Sequence, residues 1–169
     1  LGLQIDPGRV AVFAVVAVLA SLLALPLPAG AAGHTSTACP DSIPSAGYTD
    51  MAGYSLTAQH AVDCLAFYDV TAGIGGGLYG PAQDVTRSQM AIFLWKVLVA
   101  GGYTIDTTAF GFTDIAVAGT VGGDAINAVA NAGVSVGIGG GLFDPLSDVT
   151  RVQMGLFLAA ELDAAGVVP

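Results

Sequence analysis

Basic residues are scarce in this chain of 169 residues. Four Lys and Arg stand against 13 Asp and Glu, which gives a formal net charge of −9. Because nucleic-acid binding requires a basic surface, this balance argues against a nucleic-acid partner. Glutamate occurs once, as Glu161, and the two histidines, His34 and His60, lie outside the glycine loops that the chain repeats. No motif therefore pairs an acid with a base, and we expect no enzymatic activity.

Long apolar runs are confined to the N-terminus. Residues 10–25 read VAVFAVVAVLASLLAL, after a single Arg9 and before small residues. This order predicts a secretory signal peptide over residues 1–32. An uncleaved N-terminal anchor is the alternative, although the run is shorter than the roughly 18 to 20 residues that span a bilayer as a helix. We therefore expect a secreted protein whose exported part begins with an arm over residues 33–47.

Cysteine is rare as well, with Cys39 and Cys64 as the two copies. In an oxidising compartment these two residues are expected to form one intramolecular disulfide. The cysteines and the two histidines lack the spacings of zinc ligands, so we expect no metal site. The sequence likewise gives no reason to expect a cofactor.

One phrase is present twice. Residues 73–90 read GIGGGLYGPAQDVTRSQM and residues 137–154 read GIGGGLFDPLSDVTRVQM, an offset of 137 − 73 = 64 residues. The match continues without a gap from residues 49–98 to residues 113–162. A repeat of this length predicts units that lack a complete core and must pack on their neighbours.

Each unit is predicted to contain two helices joined by a long loop. The first helices are expected over residues 56–68 and 121–132, with Gly133 in the left-handed conformation at a helix end. The second helices are expected to begin at the repeated Thr-Arg. The predicted apolar stripes of the first helices are Ala61, Val62, Leu65 and Ala66, matched by Ala125, Ile126, Val129 and Ala130; those of the second helices are Met90, Phe93, Leu94, Val97 and Leu98, matched by Met154, Phe157, Leu158 and Leu162, with Glu161 as the exception.

The starts of the second helices carry a further signal. Thr86 with Gln89, and Thr150 with Gln153, fit the capping box, in which both side chains bond helix-start amides. An arginine directly after each threonine faces the positive end of the helix dipole, which is unfavourable. Two interpretations are open and compatible. Each arginine forms an ion pair with the aspartate three residues earlier, or the site binds an external carboxylate or phosphate. The residues concerned are Arg87 with Asp84 and Arg151 with Asp148.

The ordered motifs resemble the S-layer homology domain. They comprise the openings Tyr48-Thr49-Asp50 and Phe112-Thr113-Asp114, a helix, the glycine loop and the Val-Thr-Arg-x-Gln-Met helix start. The resemblance implies an all-α fold of tandem helix-loop-helix repeats that pack into a partial helical bundle, with two of the usual three units. It places repeat 1 at residues 48–102, a linker at 103–111, repeat 2 at 112–166 and a C-terminal tail at 167–169.

The same resemblance implies non-covalent anchoring at the cell surface. Such domains bind secondary cell-wall polysaccharides that often carry pyruvate, which makes an acidic glycan the expected partner. Asp50, Asp114, Asp84, Asp148, Gln89 and Gln153 are assigned structural roles, and aromatic residues such as Tyr79, Phe143 or Trp95 offer faces for sugars. The implied ligand-binding residues are Thr86, Arg87, Thr150 and Arg151, with the loop glycines Gly75, Gly76, Gly77, Gly139, Gly140 and Gly141.

The chain departs from the family pattern in two ways. Glutamine stands at positions 89 and 153, where the family commonly has glutamate, and two repeats are present where three are usual. A third repeat supplied elsewhere, or self-association, would complete the bundle. Two alternative functions follow: a structural module that assembles a surface layer, or the anchoring part of a truncated exported hydrolase.

Overall fold

A computed structural model describes residues 38–167, so the predicted signal peptide lies outside the described residues. This part of the chain contains four α-helices and no strands, which confirms the all-α prediction. Two short 3₁₀ segments, Thr49–Met51 and Ile115–Ala118, open the two sequence copies. None of the described helices is both long and apolar enough to cross a membrane. The helices are α1 (Leu56–Phe67), α2 (Arg87–Ala100), α3 (Gly119–Asn131) and α4 (Arg151–Ala164).

Both predicted capping boxes are present. The Thr86 hydroxyl accepts a hydrogen bond from the Gln89 amide at 3.3 Å, and Gln89 Oε1 accepts from the Thr86 amide at 2.8 Å. Thr150 and Gln153 repeat this arrangement at 3.3 and 2.9 Å. Since the helix-start amides lack partners within the helix, these local bonds determine where α2 and α4 begin.

The first helix of each copy ends in the same way. α1 begins at residue 56 as predicted, whereas α3 begins at Gly119, two residues before the predicted start, because a 3₁₀ segment leads directly into it. Gly133 follows α3 with a φ of 77°, as predicted. At the matching position after α1, Asp69 adopts a φ of 56° although it has a side chain, and its carboxylate pairs with Lys96 at 2.8 Å.

The core lies between α2 and α3. Gly122 of α3 faces Ser88 of α2 across this contact. A Cβ placed on Gly122 would lie at an ordinary contact distance of 3.9 Å from the Ser88 Cβ, but only 2.7 Å from the Cβ of Ala118, so the preceding turn is what favours glycine. Phe143, from the second glycine loop, is fully buried against these helices. The buried members of this core are Met90, Ala91, Leu94, Ala125, Ile126, Val129, Val134, Phe143 and Phe157.

α1 is held differently. A disulfide joins Cys39 to Cys64, as predicted, and ties the preceding segment to α1. The Tyr68 hydroxyl donates to the Ala38 carbonyl at 2.8 Å and strengthens this attachment. Leu56 and Leu65 remain exposed on the helix surface. The covalent bond therefore holds a helix that buries less of its apolar surface than α3 does.

Candidate functional site

Asp50 and Asp114 hold the far ends of the two glycine loops. Asp50 accepts hydrogen bonds from the amides of Tyr79 and Gly80 at 2.9 and 2.8 Å. Asp114 accepts from the amides of Phe143 and Asp144 at 2.9 and 2.8 Å. Each aspartate thereby fixes the loop segment that leads into the next helix start.

These contacts stabilise the charged carboxylates. The amide hydrogen bond from Tyr79 is the largest influence on Asp50 and lowers its pKa below the ordinary value. For Asp114, partial burial works to raise the pKa, but the amides of Phe143 and Asp144, together with Arg87, outweigh burial and lower it. Both side chains are therefore committed to positioning the loops.

The loop glycines form two matching tight turns. The amide of Leu78 donates to the carbonyl of Gly75, and Gly76 and Gly77 between them have φ values of 62° and 74°. Positive φ at both central residues is the geometry of a type I′ turn, which favours glycine. The six predicted ligand glycines lie exposed on the two turns, although the carbonyls of Gly77 and Gly141 accept hydrogen bonds from the amides of Thr49 and Thr113.

Arg87 is buried and points inward, with 4% of its surface exposed. Its Nε donates to the carbonyl of Phe143 at 2.8 Å, and its amide donates to the carbonyl of Ser147 at 2.8 Å. The guanidinium carbon lies 4.8 Å from the centre of the Phe143 ring and 5.4 Å from that of Phe157. Arg87 thus extends from the first sequence copy into an aromatic slot of the second.

Burial has an electrostatic effect on this side chain. Loss of solvent lowers the pKa of Arg87 from its ordinary value, and the negative charges of Asp144 and Asp114 oppose this change. Arginine stays protonated in proteins because its ordinary pKa is so high. The slot therefore holds a cation between two aromatic faces, a favourable arrangement for a guanidinium.

The predicted ion pairs between the arginines and the aspartates three residues earlier are wrong. Within residues 38–167, the salt bridge that forms joins Lys96 to Asp69. Asp84 and Asp148 are exposed. The backbone of Asp148 pairs with that of Thr86 in an isolated β-bridge between the two copies. The side chain of Arg87 points into the aromatic slot instead, so it does not form an ion pair with Asp84.

Arg151 has the opposite environment. Its side chain is exposed and makes no hydrogen bond or ion pair within the described part of the chain. The amides of Arg151 and Val152 also have no acceptor there, whereas those of Arg87 and Ser88 donate to carbonyls of the second loop. The start of α4 therefore presents a free guanidinium and free amides at the positive end of a helix dipole.

A pocket of about 370 Å³ lies between the first glycine loop and α2. Sequence reasoning did not predict it, because its lining residues extend along the sequence from Val70 to Val121. The predicted ligand-binding threonines, arginines and glycines do not line it, whereas Tyr79, expected to offer a face to sugar, does. Residues that line it include Tyr79, Pro81, Gln83, Phe93 and Lys96.

Two further side chains differ from the sequence expectation. Phe143 was expected to offer a face to sugar, but it is fully buried and only Tyr79, its counterpart, lines a pocket. Glu161 is 7% exposed and neither carboxylate oxygen has a hydrogen-bond partner. Burial raises the pKa of Glu161 to about 7. The sequence signal for this burial was its place on the apolar stripe of α4.

Comparison with protein families identifies a similarity in the second copy. The sequence model described as "S-layer homology domain" matches residues 111–154. This range contains Asp114, the second glycine loop and the Thr150-Arg151 helix start. No curated protein matches the chain.

Proposed function

We propose that this chain holds itself non-covalently to a cell wall, because residues 111–154 match the model of the S-layer homology domain, a type of module that generally anchors proteins at the cell surface by binding cell-wall polymers. The proposed ligand is an acidic secondary cell-wall polysaccharide, with pyruvate as one candidate substituent. The exposed, unpaired Arg151 is the observation that carries this assignment.

The start of α4 has the chemistry that an acidic sugar requires. A guanidinium presents parallel N–H donors that match the two oxygens of a carboxylate. The unbonded amides of Arg151 and Val152 add donors at the positive end of the helix dipole. The Thr150 hydroxyl accepts from Gln153 and still has its own hydrogen to donate.

Arg87 contributes to this function in another way. Its guanidinium lies between Phe143 and Phe157, so it holds the two sequence copies together and positions the loop before α4. The 4% exposure of Arg87 argues against its predicted direct contact with a ligand, whereas the contacts of Thr86 and the loop glycines remain predictions. The first copy, residues 48–102, is proposed as a further repeat of the same family, which makes the described chain two units of a helical bundle.

The wider organisation belongs to the same proposal. Residues 1–32 act as a signal peptide, the protein is secreted to the cell wall, and the chain itself has no catalytic role. The residue boundaries of the arm, linker and tail follow the repeat. Association through the exposed faces of α1 and α4 is the second candidate function, and the contrast between those faces and the α2–α3 interface favours it.

Sedimentation with purified cell walls tests the anchoring function. The formal charge of −9 repels an acidic polymer at long range, so recognition has to be local and to depend on one guanidinium. We expect Arg151→Ala to lower binding at least about tenfold and Arg151→Lys to restore only part of it, because lysine lacks the planar fork. Val152→Ala, one residue further on the same exposed turn, is the matched control.

Chemical removal of the non-peptidoglycan polymer from the walls is the second arm. Binding should disappear together with that polymer. Undiminished binding of Arg151→Ala, or equal binding to stripped walls, would contradict the proposed site. Circular dichroism should show unchanged helix content in all three variants.

A further inference from the structure

The described chain contains one complete interface between its two copies, and three kinds of contact build it. α2 packs on α3, where Leu94 and Val129 are 4% and 1% exposed. The amides of Arg87 and Ser88 donate to the carbonyls of Ser147 and Pro145. The Arg87 guanidinium fills the slot between the two aromatic rings of the second copy. Helix packing, backbone pairing and a buried cation thus occur together.

One half of this interface recurs without a partner on the first copy. The counterpart of Val129, 64 residues earlier in the sequence, is Leu65, which is 36% exposed. The two slot rings become Tyr79 and Phe93, and both line the open pocket of about 370 Å³. Pro81 and Gln83, which match the carbonyl acceptors of the second loop, line the same pocket. The pocket is therefore the open counterpart of the slot that Arg87 fills.

The other half recurs without a partner on the second copy. The counterparts 64 residues later in the sequence are exposed: Arg151 corresponds to Arg87, and Val152, which is 75% exposed, corresponds to Ser88. Leu94 becomes Leu158, which is 49% exposed. The amides of residues 151 and 152 lack acceptors within the described chain, where those of residues 87 and 88 have them.

We propose that α4 of one molecule docks on α1 and the Tyr79–Phe93 pocket of a second molecule of the same chain. This contact repeats, between molecules, the α2–α3 interface found within one chain. Arg151 enters the pocket and donates to the Tyr79 carbonyl of the second molecule. The Val152 amide donates to the Pro81 carbonyl. Tyrosine in place of phenylalanine keeps an aromatic face for the guanidinium. Asp50 of the second molecule, which matches Asp114, accepts a hydrogen bond from the Tyr79 amide of that pocket.

A second molecule of this chain is the proposed partner because the two open faces, the start of α4 and the pocket beside α1, are complementary to each other. Each lacks the element that the other presents, as the filled interface inside the chain demonstrates. Different surfaces meet in such a contact, so it is heterologous and can close into a ring or extend further. The contact also uses Arg151, so a docked Arg151 is unavailable to an acidic glycan. Added wall polymer should therefore compete with association if the proposed function holds.

Cysteine trapping between full-length chains tests the register. A Cβ on Gly122 would lie 3.9 Å from the Ser88 Cβ, a spacing that suits a disulfide. The matching intermolecular pair is Ala58 with Val152. One differently tagged chain carries Ala58→Cys and the other carries Val152→Cys, and both keep the native Cys39–Cys64 bond. Val136→Cys, on an exposed loop residue, replaces Val152→Cys in the control mixture.

We expect the mixed dimer to form at least about tenfold faster than in the control mixture, because docking raises the effective concentration of the two thiols. Adding Arg151→Ala to the Val152→Cys chain should remove most of this advantage. A mixed dimer at the control rate would overturn the proposal, and this includes the case in which another segment of the chain covers these faces. Homodimers of each single variant as the main product would also overturn it, since they require like faces to meet.

Wall binding separates this inference from the proposed function. Leu65→Glu places a charge on α1 far along the sequence from Arg151. It should abolish trapping and leave binding to cell walls intact. If trapping fails while walls are still bound, anchoring stands without association. If trapping succeeds and no variant binds walls, association stands without anchoring.

Discussion

The two sequence copies, residues 48–102 and 112–166, contain the same motifs, but the matching residues lie in different surroundings. Arg87 is enclosed by the second half, whereas Arg151 is exposed at the start of α4. Likewise α3 is buried against α2, whereas α1 leaves Leu65 exposed and is tied down by a disulfide. The difference shows that a repeated residue acquires its role from the neighbour that covers it. The same arginine is a buried cation in one copy and an exposed, unpaired cation in the other.

The largest expected difference between the two copies is in the unfolding free energy lost when each arginine is replaced by alanine. Arg87→Ala removes a charged hydrogen bond, two aromatic contacts and buried volume, so we expect a loss of about 4 kcal/mol in unfolding free energy. Arg151→Ala should change it by less than about 0.5 kcal/mol, as is usual for an exposed side chain. Urea unfolding of the two variants measures the contrast. Equal losses would mean that the burial of Arg87 contributes nothing.

The covalent attachment of α1 gives the next largest effect. Cys39→Ala combined with Cys64→Ala opens a loop whose ends are 25 residues apart, which should cost about 3 kcal/mol. Because α1 buries less apolar surface than α3, hydrogen exchange should accelerate in α1 before it does in α2 and α3. Uniform acceleration across all four helices would indicate that the halves unfold as one unit.

Glu161 in α4 should give the second copy a pH-dependent stability that the first copy lacks, because its counterpart in α2 is the non-titrating Val97. The pKa of Glu161 is raised to about 7 from 4.5, so the folded state binds more protons than the unfolded state between those values. Stability should therefore fall by about 2 kcal/mol as pH rises from 4.5 to 7, and then level off with respect to this group.

Glu161→Val copies the residue of α2 and should abolish this fall. Thermal unfolding at several pH values measures it, and Asp163→Asn controls for the loss of one negative charge on an exposed part of α4. A Glu161→Val variant with the wild-type pH profile would show that this carboxyl group is not the source.

Local features of the fold were predictable from the sequence, and contacts between the halves were not. The two capping boxes and the turn at Gly133 depend on residues within three or four positions, so short motifs determine them. The disulfide was predicted from the presence of two cysteines in a chain expected to be exported. By contrast, the inward path of Arg87 depends on Phe143, which lies 56 residues away, so the predicted pairing with Asp84 was wrong.

Exposure was the other feature that pattern alone could not determine. Leu65 and Val129 occupy matching positions on the same predicted stripe, yet only Val129 has a helix packed over it. Glu161 appeared as an interruption of an apolar stripe and is nevertheless buried. Periodicity identifies the face of a helix, but the presence of a neighbouring element determines whether that face is covered.

The Lys96–Asp69 pair has a consequence for how a repeating polymer can be held. The pair engages Lys96, one of the three Lys and Arg side chains between residues 38 and 167, and Arg87 is enclosed. The described part of a free chain therefore offers one uncommitted cation, Arg151. Under the proposed anchoring function, one chain would bind one acidic group of the polymer at a time through this cation. Firm retention would come from avidity, with several chains engaging successive acidic groups along the same polysaccharide strand.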